Sequence, residues 1–135
     1  MKDLSLQPIG VVHSTIKKRE DAPLFYDEGA PPAVLEIFPD YVQGLERLQV
    51  GDEIVVITWL HAAQRDVLKV HPRRNPANPV TGVFLTRSPD RPNPLGLHRV
   101  TVVAIEGRMV RIGAIEAIDG TPVVDIKAVV DAKDF

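Results

Sequence analysis

The sequence predicts an all-β protein: a compact closed β-barrel of about seven mostly antiparallel strands with one short helix, in a single domain over residues 1–135. Three observations carry this. Short runs rich in Val and Ile recur along the chain, separated by Gly, Pro and Asp. Only one stretch has helical spacing. The chain is 135 residues long with 44% hydrophobic content, which suits one soluble core.

The elements follow in order. Residues 9–13 (IGVVH) read as a first strand and residues 33–38 (AVLEIF) as a second, with Ala33, Leu35 and Ile37 on one face. Asp40 can cap a short helix through Leu48, with Tyr41, Leu45 and Leu48 on one side and Gly44 weakening it. Residues 53–60 (EIVVITWL) are nearly continuously apolar and predict a central strand covered on both faces. Residues 80–86 (VTGVFLT) read as another strand, with Phe84 in its core face, and Trp59 also reads as core. Residues 99–105 and 110–115 flank Glu106-Gly107-Arg108-Met109, a hairpin connection. Residues 123–127 (VVDIK) alternate and close the set.

Composition narrows the function. The absence of cysteine excludes a disulfide scaffold, a thiolate metal site and a cysteine nucleophile. His61 and His71 lack a third ligand at useful spacing, so no metal is expected. No apolar run reaches a membrane span and the first residues carry no signal-peptide pattern, so a soluble cytoplasmic protein without a membrane partner is expected. There is no G-x-G-x-x-G and no P-loop, which argues against a Rossmann domain or an NTPase. The net charge is −2, yet the window from His61 to Arg99 holds seven Lys/Arg against two acids, leaving −7 for the rest. A basic centre on an acidic body suits a local anionic partner, or else a solvated loop.

Six of the 12 prolines fall between Pro72 and Pro94. Pro89, Pro92 and Pro94 stiffen a loop that offers Arg87, Ser88, Asp90, Arg91 and Asn93, and stiffness lowers the ordering cost of binding. A rigid edge-breaking connector is the alternative reading. Asp125 and Lys127 share one strand face, and Asp119-Gly120 marks a turn.

Residues 82–97 (GVFLTRSPDRPNPLGL) and 119–127 (DGTPVVDIK) together resemble the two signature stretches of the TsaA-like β-barrel family, also called TrmO. Residues 8–14 (PIGVVHS) resemble its opening strand, as Gly44-Leu45-Glu46 resembles the segment before its central strand, so the likeness runs over residues 8–127. It implies a β-barrel methyltransferase that uses S-adenosyl-L-methionine near a homodimer interface. The implied acceptor is N6 of N6-threonylcarbamoyladenosine at tRNA position 37, so the partner is the anticodon loop of tRNA, not DNA. Carried over by residue, the cofactor contacts fall on Tyr26, Asp27 and Glu28, on His61, on Arg87 and Leu97, and on Gly113, Ala114, Ile115 and Glu116. The sequence departs from the family at residues 24–29 (LFYDEG), at Ala62 after His61, and in ending eight residues after Lys127. That last departure keeps open a methyltransferase for another RNA or a small molecule; separately, a non-catalytic RNA-binding barrel is the alternative from a different class.

Methyl transfer from a sulfonium asks for positioning and for carboxylates or carbonyls near the positive charge, which favours Glu116 there over the arginines. Arg87 suits a carboxylate or a phosphate. The acceptor N–H needs a modest base. Asp119, Asp125 and the loop amide Asn93 are the catalytic candidates, with His61 as a further base; Asp119 reads equally as a turn residue. Arg65, Lys69, Arg73, Arg74, Arg91 and Lys127 can face RNA.

Overall fold

A computed structural model describes residues 3–22 and 29–130. Among these residues eight strands form: β1 (Gly10–His13), β2 (Pro32–Ile37), β3 (Glu53–Trp59), β4 (Lys69–Val70), β5 (Thr81–Gly82), β6 (Leu95–Glu106), β7 (Met109–Ala114) and β8 (Pro122–Ala128). Six of them close an antiparallel barrel in the order β1-β2-β7-β6-β3-β8, with β8 returning to β1 through Gly10↔Val123. The longest ladder joins β3 to β6, from Glu53↔Thr101 to Trp59↔Leu95. Pairing slips between Pro32 and Ala33, between Ile57 and Thr58, and between Val102 and Ala104. Such irregularities bend strands and help a small sheet curl shut.

Period-two alternation fills the interior. Leu35 and Ile37 on β2, Ile54 and Val56 on β3, Val100 and Val102 on β6, and Val110 and Ile112 on β7 all point inward and are buried. Each such side chain contributes about 1.5–3 kcal/mol of hydrophobic stabilisation. Gly107, at φ +62, turns the chain between β6 and β7. Tyr41, Leu45 and Leu48 pack against the core as their spacing predicts. The segment Pro39–Leu45 is a 3-10 helix, shorter and tighter than the predicted one, and it stops just after Gly44.

The barrel has six strands because residues 80–86 do not join it. Thr81–Gly82 pairs only with Lys69–Val70, and Val83–Leu85 turns as a 3-10 helix. Val83 alone is buried there, while Phe84 is 77% exposed, so Phe84 is no core residue. An apolar run reads as a strand only if a neighbour pairs with it, and this run sits on an excursion outside the barrel. Conversely, β6 starts at Leu95, four residues before its predicted start, because pairing with β3 resumes as soon as Pro94 is passed. The outer side chains of β3, Val55, Ile57 and Trp59, are half-buried.

Candidate functional site

A cavity of about 380 Å³ opens where β3 ends and β6 begins, walled on one side by the proline loop and on another by the link between β7 and β8. That size suits a small-molecule ligand. The loop owes its shape to side chains as well as to prolines. The Arg91 guanidinium donates to the carbonyls of Thr86 (3.0 Å), Ser88 (3.1 Å) and Val83. The Arg91 N–H donates to the Gln64 carbonyl at 3.0 Å. Asp90 accepts from the Gln64 N–H at 2.8 Å and from Arg19 at 2.5 Å. Burial pushes the Asp90 carboxyl up, but the Arg19 hydrogen bond, the Gln64 N–H and the charges of Arg19 and Arg74 outweigh it and hold its pKa below the ordinary value.

The wall on the β3–β6 side is polar. His98 is 5% exposed. Its Nε2 meets Thr58 Oγ1 at 2.7 Å and its Nδ1 meets Glu116 Oε1 at 2.9 Å. Glu116 lines the cavity, and its Oε2 is buried with no hydrogen-bond partner among the described residues. Gly96 makes room for this wall: a Cβ there would lie 2.6 Å from Thr58 Oγ1 and 2.8 Å from His98 Nε2.

Of the predicted cofactor contacts, His61, Arg87, Leu97 and Glu116 line the cavity together. Tyr26, Asp27 and Glu28 lie outside the described residues. Gly113 and Ala114 belong to β7, and Ile115 is fully buried in the core with its N–H on the Pro31 carbonyl; these three deliver Glu116 to the wall. Among the predicted RNA contacts, Arg74 and Arg91 reach the cavity, and Arg73 lines an adjoining groove shared with Arg74, Arg87 and Arg19. The Arg65 guanidinium lies over the Trp59 ring, 5.0 Å from its centre, and its Nε donates to the Pro92 carbonyl. Lys127 is exposed, 3.7 Å from Asp125.

The three nominated catalytic groups stand elsewhere. Asp119 accepts the Ser14 N–H at 2.9 Å and pairs with Lys17 at 3.0 Å, and these two contacts, the Ser14 N–H first, hold its pKa below the ordinary aspartate value. Asp125 faces a separate groove that includes Glu53 and Ile54 at the start of β3. Asn93 is exposed, and its side-chain oxygen accepts from Arg65 at 3.3 Å. Sequence reasoning picks out Gly96 as a point of close backbone approach in the proline loop, but does not single out His98 or Thr58 as site residues. Once β6 starts at Leu95, the alternation Gly96, His98, Val100 points all three inward, and that was the available signal. Among the described residues, no three His, Asp or Glu side chains gather to hold a metal ion, and no helix is long and apolar enough to cross a membrane.

The family model of the tRNA-methyltransferase O N-terminal domain matches residues 11–135. A probable S-adenosyl-L-methionine-binding protein of Methanothermobacter thermautotrophicus is 40% identical over 125 residues, covering 93% of this chain and 89% of that one. Another, from Pyrococcus horikoshii, is 48% identical over 109 residues, covering 78% of each chain. The crystal structure of TrmO from Pseudomonas aeruginosa superposes with a TM-score of 0.71 at 27% identity over 96% of this chain, which spans only 57% of that solved one. With this match over nearly all its residues, and with the barrel and cavity described above, the chain belongs to the TrmO N-terminal domain family.

Proposed function

We propose that this chain is an S-adenosyl-L-methionine-dependent methyltransferase that N6-methylates N6-threonylcarbamoyladenosine at position 37 of tRNA. One observation carries the reading: a cavity of nucleoside size joins four residues named for cofactor contact, His61, Arg87, Leu97 and Glu116, although they are far apart in the chain. S-adenosyl-L-methionine is the cofactor by family, and the cavity fits it. Glu116 supplies a buried carboxylate oxygen that lacks a partner among the described residues, and Gly96, on the same lining, presents bare backbone where a Cβ would strike Thr58 and His98.

When bound, the cofactor supplies an electrophilic methyl group on a sulfonium. The protein's part is placement. The clamped proline loop holds Arg87 at the cavity without further ordering, where it meets a carboxylate or a phosphate. Glu116 supplies a carboxylate to a cavity that Arg74, Arg87 and Arg91 also line. An imidazole nitrogen of His61, which unlike Asp119 and Asp125 lines the cavity, takes the acceptor N–H proton. Arg73 and Arg74 in the adjoining groove neutralise tRNA phosphates, and exposed Phe84 offers a face to an unstacked anticodon-loop base. Assembly as a homodimer in the cytoplasm belongs to the same reading.

The test is incubation of the purified chain with methyl-labelled cofactor and tRNA prepared with and without threonylcarbamoyladenosine. Label should enter tRNA only when that nucleoside is present. Label in tRNA lacking it, or none in either, overturns the substrate assignment.

A further inference from the structure

The wall formed by Thr58, His98 and Glu116 is more than packing. A buried imidazole on a β-strand needs two partners, and here both are side chains from other segments: Thr58 from β3, and Glu116 from the turn after β7. An ionised carboxylate only accepts, so His98 Nδ1–H is the donor to Glu116 Oε1. In the neutral ring, Nε2 then accepts the Thr58 hydroxyl proton. This chain of two hydrogen bonds fixes the carboxylate's rotation and commits one of its oxygens. The other, Oε2, is desolvated and has no partner among the described residues. Leaving a carboxylate oxygen in that condition is costly unless a donor hydrogen arrives.

Gly96 is part of the same device. Any side chain there would strike Thr58 Oγ1 and His98 Nε2. The β3–β6 ladder pairs Thr58 with Gly96 by register, so the missing Cβ is what lets His98, two residues on, lean across to Thr58.

We propose that His98, braced by Thr58, is a positioning residue that presents Glu116 Oε2 as the acceptor for a hydroxyl or amino hydrogen of the bound cofactor. This rests on the reading that the cavity holds S-adenosyl-L-methionine. The recognised feature is a donor hydrogen, not the sulfonium charge, because the vacancy at Oε2 is a hydrogen-bond vacancy. The product S-adenosylhomocysteine, which lacks the sulfonium charge, keeps every hydroxyl and amino donor of the cofactor and is therefore recognised by the same wall.

Calorimetric titration of both ligands into the wild type and into His98→Ala, His98→Asn, Thr58→Val, Glu116→Gln and the His98→Ala/Glu116→Gln pair tests this, with thermal unfolding as the check on folding. His98→Ala should weaken both ligands about ten- to a hundredfold, the range expected for a lost hydrogen bond to a charged group. His98→Asn, which keeps a donor near the place of Nδ1, should recover most of that loss. Glu116→Gln, which sets an N–H where the acceptor stood, should weaken both ligands at least as much. The double variant should then be no worse than Glu116→Gln alone. If His98→Ala does not fold, Thr58→Val carries the same expectation with a smaller loss and His98→Asn is compared with the wild type. Wild-type affinity in His98→Ala, or in Thr58→Val where that variant stands in for it, overturns the proposal, as do losses that add in the double variant. Loss for S-adenosyl-L-methionine with S-adenosylhomocysteine unchanged overturns the donor assignment in favour of charge. A wild type that binds neither ligand removes the reading beneath it, a result distinct from all of these.

Discussion

The barrel and the excursion between β3 and β6 are held in shape by different physics. The barrel holds itself by ladders on every strand and by an interior of Val, Ile and Leu at alternating positions. The excursion, residues 60–94, has a ladder of two residue pairs and only two buried residues, Val83 and Pro94. It is held by side chains reaching for backbone: Arg91 to three carbonyls, Asp90 to the Gln64 N–H, Arg65 to the Pro92 carbonyl. A packed core tolerates no empty volume, while a polar clamp tolerates no missing donor. The first fixes where the cavity is, and the second fixes what it presents.

Substitutions should separate the two. Leu35→Ala, at a fully buried barrel position, should lower global unfolding free energy by about 2–5 kcal/mol in chemical denaturation while leaving ligand affinity of the remaining folded protein near that of the wild type. Arg91→Ala should cost less, about 1–3 kcal/mol, and should do so locally. Amide exchange should quicken in residues 83–91 before it changes in β3 or β6, and cofactor affinity should fall. Equal acceleration throughout the barrel would erase the distinction.

A smaller effect is expected from acid. Asp90 has its pKa held below the ordinary value in the folded state, so its contribution is present above about pH 4, the unfolded value, and is lost as pH falls through the folded one. Its partner Arg19 is partly exposed, so the contribution should be under about 1 kcal/mol. Asp90→Asn should speed amide exchange at Gln64 at neutral pH and flatten its rise below pH 4. An unchanged acid profile would mean that another group governs the excursion. The smallest effect on stability should come from neutralising Arg73 and Arg74 to Gln. Unfolding should shift by no more than about 0.5 kcal/mol, yet RNA affinity should lose roughly one unit of salt slope per phosphate contact removed. An unaltered salt slope would take these two residues out of the RNA path.

The same contrast explains what could be read from sequence. Five of the six barrel strands were legible almost to the residue, because inward and outward positions alternate and burial enforces it. β6 was found late by four residues because Leu95 and Leu97 point outward and Gly96 and His98 inward, which hides the apolar face. Residues 80–86 were misread because periodicity says nothing about whether a partner strand exists. At the site, the family motif led to His61, Arg87, Leu97 and Glu116. It did not lead to His98, whose meaning depends on Thr58, 40 positions away, and on a glycine that leaves space. Nor could it show that Arg91 spends its guanidinium on carbonyls of its own loop, since backbone acceptors leave no mark on a sequence.

Closure of the barrel also has a kinetic side. β1 completes its pairing only when β8 arrives, more than a hundred residues later, and β3 likewise waits for β6 and β8. During synthesis, β1 and β3 therefore each carry an open edge until residues 122–128 have left the ribosome. Such non-local topologies fold in milliseconds to seconds, not microseconds. Variants that delay β8 docking, on the Gly10↔Val123 seam, should raise aggregation of the nascent chain before they lower the stability of the finished protein.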